Sequence, residues 1–145
     1  MSLEETTRRE IEQDCTRLIN LYAVLNDAAD WDGLADLYTP DARFARPSAP
    51  DDFICGREAI LAAFRARPPR KSRHVIANIV VEVEGPATAR AFSVIVLYQG
   101  EAAEAGALPK MTANSPLVGF FEDRLVNTPH GWRFAERRGG LDFAP

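Results

Sequence analysis

The chain is poor in the residues that most often advertise special chemistry. It has two cysteines and two histidines in 145 residues. Cys15 and Cys55 have neither CxxC spacing nor a neighbouring histidine, so they read as reduced core thiols. Two histidines are too few for a His-rich metal site, and no metal is expected. No apolar run approaches the roughly 18 residues of a membrane span, so no membrane partner is expected. The start, MSLEETTRRE, is polar and charged and does not read as a signal peptide, which makes a cytoplasmic location the expectation. Nucleophile elbow, phosphate loop, dinucleotide fingerprint and zinc spacing are all missing. No cofactor is therefore expected, and covalent catalysis has no motif behind it. Excess positive charge is missing too. Seventeen Lys and Arg stand against 21 Asp and Glu, for a net charge of -4, which argues against a nucleic-acid partner.

What is present suits one globular unit. Hydrophobic residues make up 46% and charged residues 26%, enough for a sizeable core. The length fits a single domain over 1–145, with no repeat, linker or low-complexity segment. Leu3 to about Ala28 reads as a long helix, because Ile11, Cys15, Leu18, Ile19, Tyr22 and Leu25 form one apolar stripe. Asp30 or Asp32 can cap a second helix from Gly33 to Tyr38, which Thr39-Pro40-Asp41 ends. A short strand can form at Ala42–Ala45, and Phe53–Cys55 is a brief apolar run. Gly56 then leads into a third helix, Arg57–Ala66, that Pro68-Pro69 stops. From Arg73 the period changes to two. Strands are expected over His74–Glu84, Thr88–Gln99, Leu117–Asn127 and Trp132–Arg138. Helices first and antiparallel strands after predict an α+β fold, with the N-terminal helices packed on a strongly curved sheet that leaves a concave mouth for a ligand.

Three residues in this pattern suit proton transfer. His74 opens a strand, and alternation puts His74, Ile76 and Asn78 on one face. An imidazole there can take a proton near neutral pH, or it can be a structural histidine. Asp27 is the natural orienter of that ring, although an acid at a helix C-terminus opposes the dipole. Tyr22 can donate a hydrogen bond or simply fill the core. Spacing raises an objection: five residues turn an ideal helix by about 140°, so Tyr22 and Asp27 should not face one pocket unless the helix bends or ends between Leu25 and Asp30. Arg137 and Arg138 can hold an anionic group or lie exposed on a strand. The basic cluster Arg65, Arg67, Arg70, Lys71 and Arg73 can be an anion patch or a solvated loop, and the excess of acids over bases in the chain favours the loop.

Taken together, these stretches resemble a known group. Tyr22-x4-Asp27-x2-Asp30-Trp31-Asp32 followed by LADLYTPD (Leu34–Asp41), RHVIAN (Arg73–Asn78), and the closing segments GFFED (Gly119–Asp123) and GWRFAER (Gly131–Arg137) are similar to the signatures of the SnoaL-like group of the nuclear transport factor 2-like superfamily. The resemblance spans nearly the whole chain. It implies a cone-shaped α+β barrel and, by similarity to scytalone dehydratase, bile-acid 7α-dehydratase and hexachlorocyclohexane dehydrochlorinase, a cofactor-free lyase with a His–Asp dyad. Carried over, His74 would be the general base, Asp27 its orienter and Tyr22 a hydrogen-bond donor. Arg137 and Asn78 would line a pocket for a small hydrophobic, cyclic or aromatic substrate. Rival expectations are a ketosteroid-type isomerase with Asp27 as base, a non-catalytic partner like a dioxygenase β subunit, and a binding module. Apolar residues on both faces of Val94–Tyr98 and Leu117–Phe121 suit a homo-oligomer, either dimer or trimer.

Overall fold

A computed structural model describes residues 3–145. The N-terminal stripe folds as expected into α1 (Glu5–Asp27), which buries Ile11, Cys15, Leu18, Ile19 and Tyr22. The helix stops at Asp27 because Ala29 takes a left-handed conformation (φ 55°). That turn lets the Asp30 amide bond back to the Leu25 carbonyl at 3.0 Å. Asp30 then caps α2 (Trp31–Ala35) through the Gly33 amide at 3.0 Å. Gly33 fits closely here, since a Cβ would sit 2.7 Å from the Asp30 carboxylate and push the cap aside. The second helix is shorter than the spacing predicts. Tyr38 and Thr39-Pro40-Asp41 belong to strand β1 (Tyr38–Ala45) and not to a helix end. Pro40 is tolerated because its short neighbour β2 (Ile54–Cys55) pairs only with Arg43 and Phe44.

After α3 (Arg57–Arg65), the chain lays down β3 (Ser72–Val83), β4 (Thr88–Gln99), β5 (Leu117–Thr128) and β6 (Gly131–Leu141). The six strands form one sheet in the order β2-β1-β6-β5-β4-β3. All neighbours are antiparallel except β1 and β6, which run parallel. The architecture is α+β with a mixed, mainly antiparallel sheet. The sheet stays open, with β2 and β3 as its edges, so the cone is not a closed barrel. Helix α1 packs chiefly against β3, and an aromatic cluster of Tyr22, Tyr38, Phe44, Phe64 and Phe134 fills the space between helices and sheet. None of the described helices is long and apolar enough to cross a membrane.

Strand β3 carries one irregularity that decides a site residue. Its register with β4 shifts between Ala77 and Val80, and Asn78 sits in the break with φ 51°. Before the break the even positions His74 and Ile76 face inward. After it the odd positions Ile79, Val81 and Val83 pack on the core. Asn78 is left exposed and forms no part of the cavity wall, contrary to the alternation expected for it.

Candidate active site

A cavity of about 270 Å³ opens between the helices and the inner face of the sheet. Its floor is apolar, with Phe44, Phe64, Ile76, Ile95 and Phe121 among its walls. His74 reaches it from β3 and Tyr22 from α1. Gly119 also lines it, on a strand so close to β6 that a Cβ there would fall 2.1 Å from the Gly140 carbonyl oxygen.

Asp27 lies behind His74 rather than in the cavity wall. Its Oδ1 is 2.5 Å from His74 Nδ1 and accepts from Ser72 Oγ at 3.1 Å. Its Oδ2 accepts the His74 backbone amide at 2.9 Å. Both the Asp27 and His74 side chains are only 8% exposed, so these bonds operate largely away from water. The geometric objection is thus resolved in an unexpected way. The helix ends at Asp27, and its carboxylate need not share a pocket with Tyr22, because it meets the imidazole from the flank. With Nδ1 engaged by the carboxylate, His74 Nε2 is the ring nitrogen left without a protein partner among the described residues. Burial lowers the His74 pKa from its ordinary 6.5; the Asp27 bond and charge pull upward, and nearby Arg67 and Arg70 push it down again. The ring is therefore neutral at pH 7 and able to accept a proton.

Tyr22 is 3% exposed, and its hydroxyl lies 2.7 Å from that of Tyr38. Burial pushes the Tyr22 phenol up to about 12, despite the Arg137 charge and the Tyr38 bond. It stays protonated through the physiological range, so its O–H is available to donate a hydrogen bond. Arg137 is fully buried yet lines the cavity. Its guanidinium stacks on Tyr22, Phe121 and Phe134 at 4.4, 3.9 and 4.6 Å and pairs with Asp123 through Nε at 3.0 Å. Burial raises the Asp123 carboxyl to about 6 even against that partner. Arg138, by contrast, points to Asp51 on the outside.

Sequence reasoning overlooked Ser72, Tyr38 and Asp123. Ser72 was within reach of the period-two argument, because it shares the inward parity of His74. Asp123 stands directly across from Arg137 in the β5–β6 ladder, which only the register reveals. Tyr38 was hidden by the expectation of a helix over that stretch. Arg67 and Arg70, expected in solvent, line the cavity, together with Arg46 from the end of β1. Among the described residues no three His, Cys, Asp or Glu side chains are grouped as a metal ion would need.

Several solved structures share this fold. A scytalone dehydratase-like protein from Novosphingobium aromaticivorans superposes with a TM-score of 0.80 at 18% identity, covering 97% of this chain and 89% of that one. A hexachlorocyclohexane dehydrochlorinase of type 2 gives 0.78 at 12% identity, covering 97% and 90%. A protein of unknown function from Mycobacterium tuberculosis gives 0.72 at 26% identity, covering 91% and 76%. No curated protein matches at the level of sequence. The SnoaL-like domain family matches residues 7–138, almost the entire chain. The chain therefore belongs to the SnoaL-like domain family.

Proposed function

We propose that this protein is a cofactor-independent lyase that removes water or a hydrogen halide from a small cyclic or aromatic substrate. The observation that carries this reading is the 2.5 Å contact between His74 Nδ1 and Asp27 Oδ1 beside an apolar cavity. Asp27 holds the ring with its proton on Nδ1, so Nε2 presents a lone pair to the substrate. His74 Nε2 takes a proton from a carbon acidified by a neighbouring carbonyl. The C–H electron pair becomes the new double bond, and the leaving group departs with its own bonding pair. When that group is hydroxide, the imidazolium just formed gives it the proton, water departs and the ring is neutral again; when it is halide, the halide departs as the anion and the imidazolium gives its proton to solvent. Tyr22 donates a hydrogen bond to the carbonyl oxygen, with Tyr38 donating in turn to the Tyr22 oxygen. The dehydratase-like and dehydrochlorinase folds among the similar structures support the class of reaction.

The placement of Asp27 disfavours isomerisation of the ketosteroid type, in which Asp27 would have to meet substrate directly. Its oxygens are occupied by Ser72 and His74, away from the cavity wall. A panel of cyclic compounds carrying a hydroxyl or halogen β to an acidic C–H tests the proposal by mass spectrometry. Loss of water or halide supports it. Conversion at constant mass, or full activity in His74→Ala, overturns it.

The assembly belongs to the same proposal. On the sheet face turned away from the helices, Val80 and Phe92 are about half exposed, and Phe92 stacks on Phe120 at 5.9 Å. This apolar strip is the surface on which a second copy of the chain would pack.

A further inference from the structure

We infer that the cavity selects an organic anion: an apolar ring frame carrying a carboxylate, read at the mouth by Arg46, Arg67 and Arg70. This rests on the reading of the cavity as a substrate site and names the class of substrate. Acids outnumber bases in the chain, 21 to 17, yet four arginines and no carboxylate line the cavity. One of the four, Arg137, brings its own counter-charge in Asp123. The other three form no ion pair with any carboxylate among the described residues.

Their placement is built rather than incidental. Arg67 is half-buried, with its guanidinium 5.5 Å from both the Trp31 and the Phe64 rings and a long 3.5 Å bond to Asn26 Oδ1. Pro68-Pro69 restricts the backbone between Arg67 and Arg70. Arg46 follows the end of β1 and lines the same cavity. Burial first, and then the charges of Arg70 and Arg46, lower the Arg67 pKa to about 10, with Tyr22 and Asp27 pulling the other way, so the three cations stand close enough to repel. A planar carboxylate would relieve that repulsion and accept paired N–H donors, while its ring system fills the apolar floor. The reacting carbon is then carried inward toward His74.

The test compares naphthoate with its uncharged isostere naphthamide by isothermal titration calorimetry, without turnover. The full chain is expected to bind naphthoate about tenfold or more tightly than naphthamide, as one charge-assisted contact would give. That preference should shrink as salt is raised. Arg67→Gln and Arg70→Gln should each bring the naphthoate-to-naphthamide affinity ratio close to one. Arg70 is exposed, so Arg70→Gln keeps the test valid even if Arg67→Gln disturbs packing on Trp31. His74→Asn should keep the preference intact. Equal affinity for the two ligands, no naphthoate binding at millimolar concentration, or a preference that survives both arginine replacements would each overturn the inference. A chain that binds naphthoate through these arginines but never eliminates water or halide keeps this inference and loses the lyase reading.

Discussion

At the scale of single residues, the division of labour around His74 makes the clearest predictions. His74→Ala should lower kcat/KM by about 10²–10⁴, the usual worth of a positioned base, with the fold intact by circular dichroism. Asp27→Asn should lower the rate and also change its pH profile. The native imidazole titrates below its ordinary 6.5. Only its neutral form is a base, so kcat/KM should rise with pH through a midpoint below 6.5 and stay flat through neutrality. Loss of the Asp27 charge removes an upward pull, and the midpoint of any residual activity should move further down. Arg70→Gln removes a downward push, and its midpoint should move up. A stopped-flow pH profile of the three proteins reads both signs. The buried pair Arg137–Asp123 gives a prediction about stability. Asp123→Ala would leave the guanidinium buried without a counter-charge, and urea denaturation should show a loss of about 3–5 kcal/mol. Replacement of the hydroxyl in Tyr38→Phe should cost less, about 1–3 kcal/mol, because one buried partner is left unpaired.

At the scale of elements, the end of α1 sets the site. Ala29 holds a left-handed conformation that costs an L side chain about 1–2 kcal/mol. Ala29→Gly relieves that strain but adds freedom to the unfolded chain, and a net gain of about 0.5–1 kcal/mol should appear in denaturant melts. The apolar stripe of α1 and the period-two runs of β3 to β6 were legible, because each is a local pattern with one buried face. The stop at Asp27 was legible only as a requirement, since alanine gives no sign of a left-handed turn. The second half of β1, Ala42–Ala45, was legible, but its start at Tyr38–Asp41 was hidden by Pro40, which reads as a breaker unless the short reach of β2 is known. Asn78 misled for a similar reason. Strict alternation holds only while register holds, and a bulge turns the rest of β3 over.

At the scale of the whole molecule, an α+β architecture with helices over one sheet face followed from the order of patterns alone. The parallel pairing of β1 with β6 did not, because it joins segments from opposite ends of the chain. Nor did the full arginine lining, which takes one member from the end of β1 and two from the turn before β3; along the sequence Arg67 and Arg70 show as one basic cluster, but nothing ties Arg46 to them. The outer strip of Val80 and Phe92 predicts association. Sedimentation equilibrium should give a dimer or trimer, and Phe92→Glu should shift it toward monomer at the same concentration, with secondary structure unchanged.

The carboxylate of Asp27 grips both the ring of His74 and its main-chain amide, and it steadies Ser72 as well. Anyone transplanting this dyad into another cone would therefore have to move a seam between a helix end and a strand start, not two side chains. A graft of Asp27 and His74 onto a host whose strand lies one residue out of step would place the right atoms in the wrong partnership. The portable unit is Asp27, Ser72 and His74 with the turn at Ala29, and a host lacking any of these should yield a folded but inert protein.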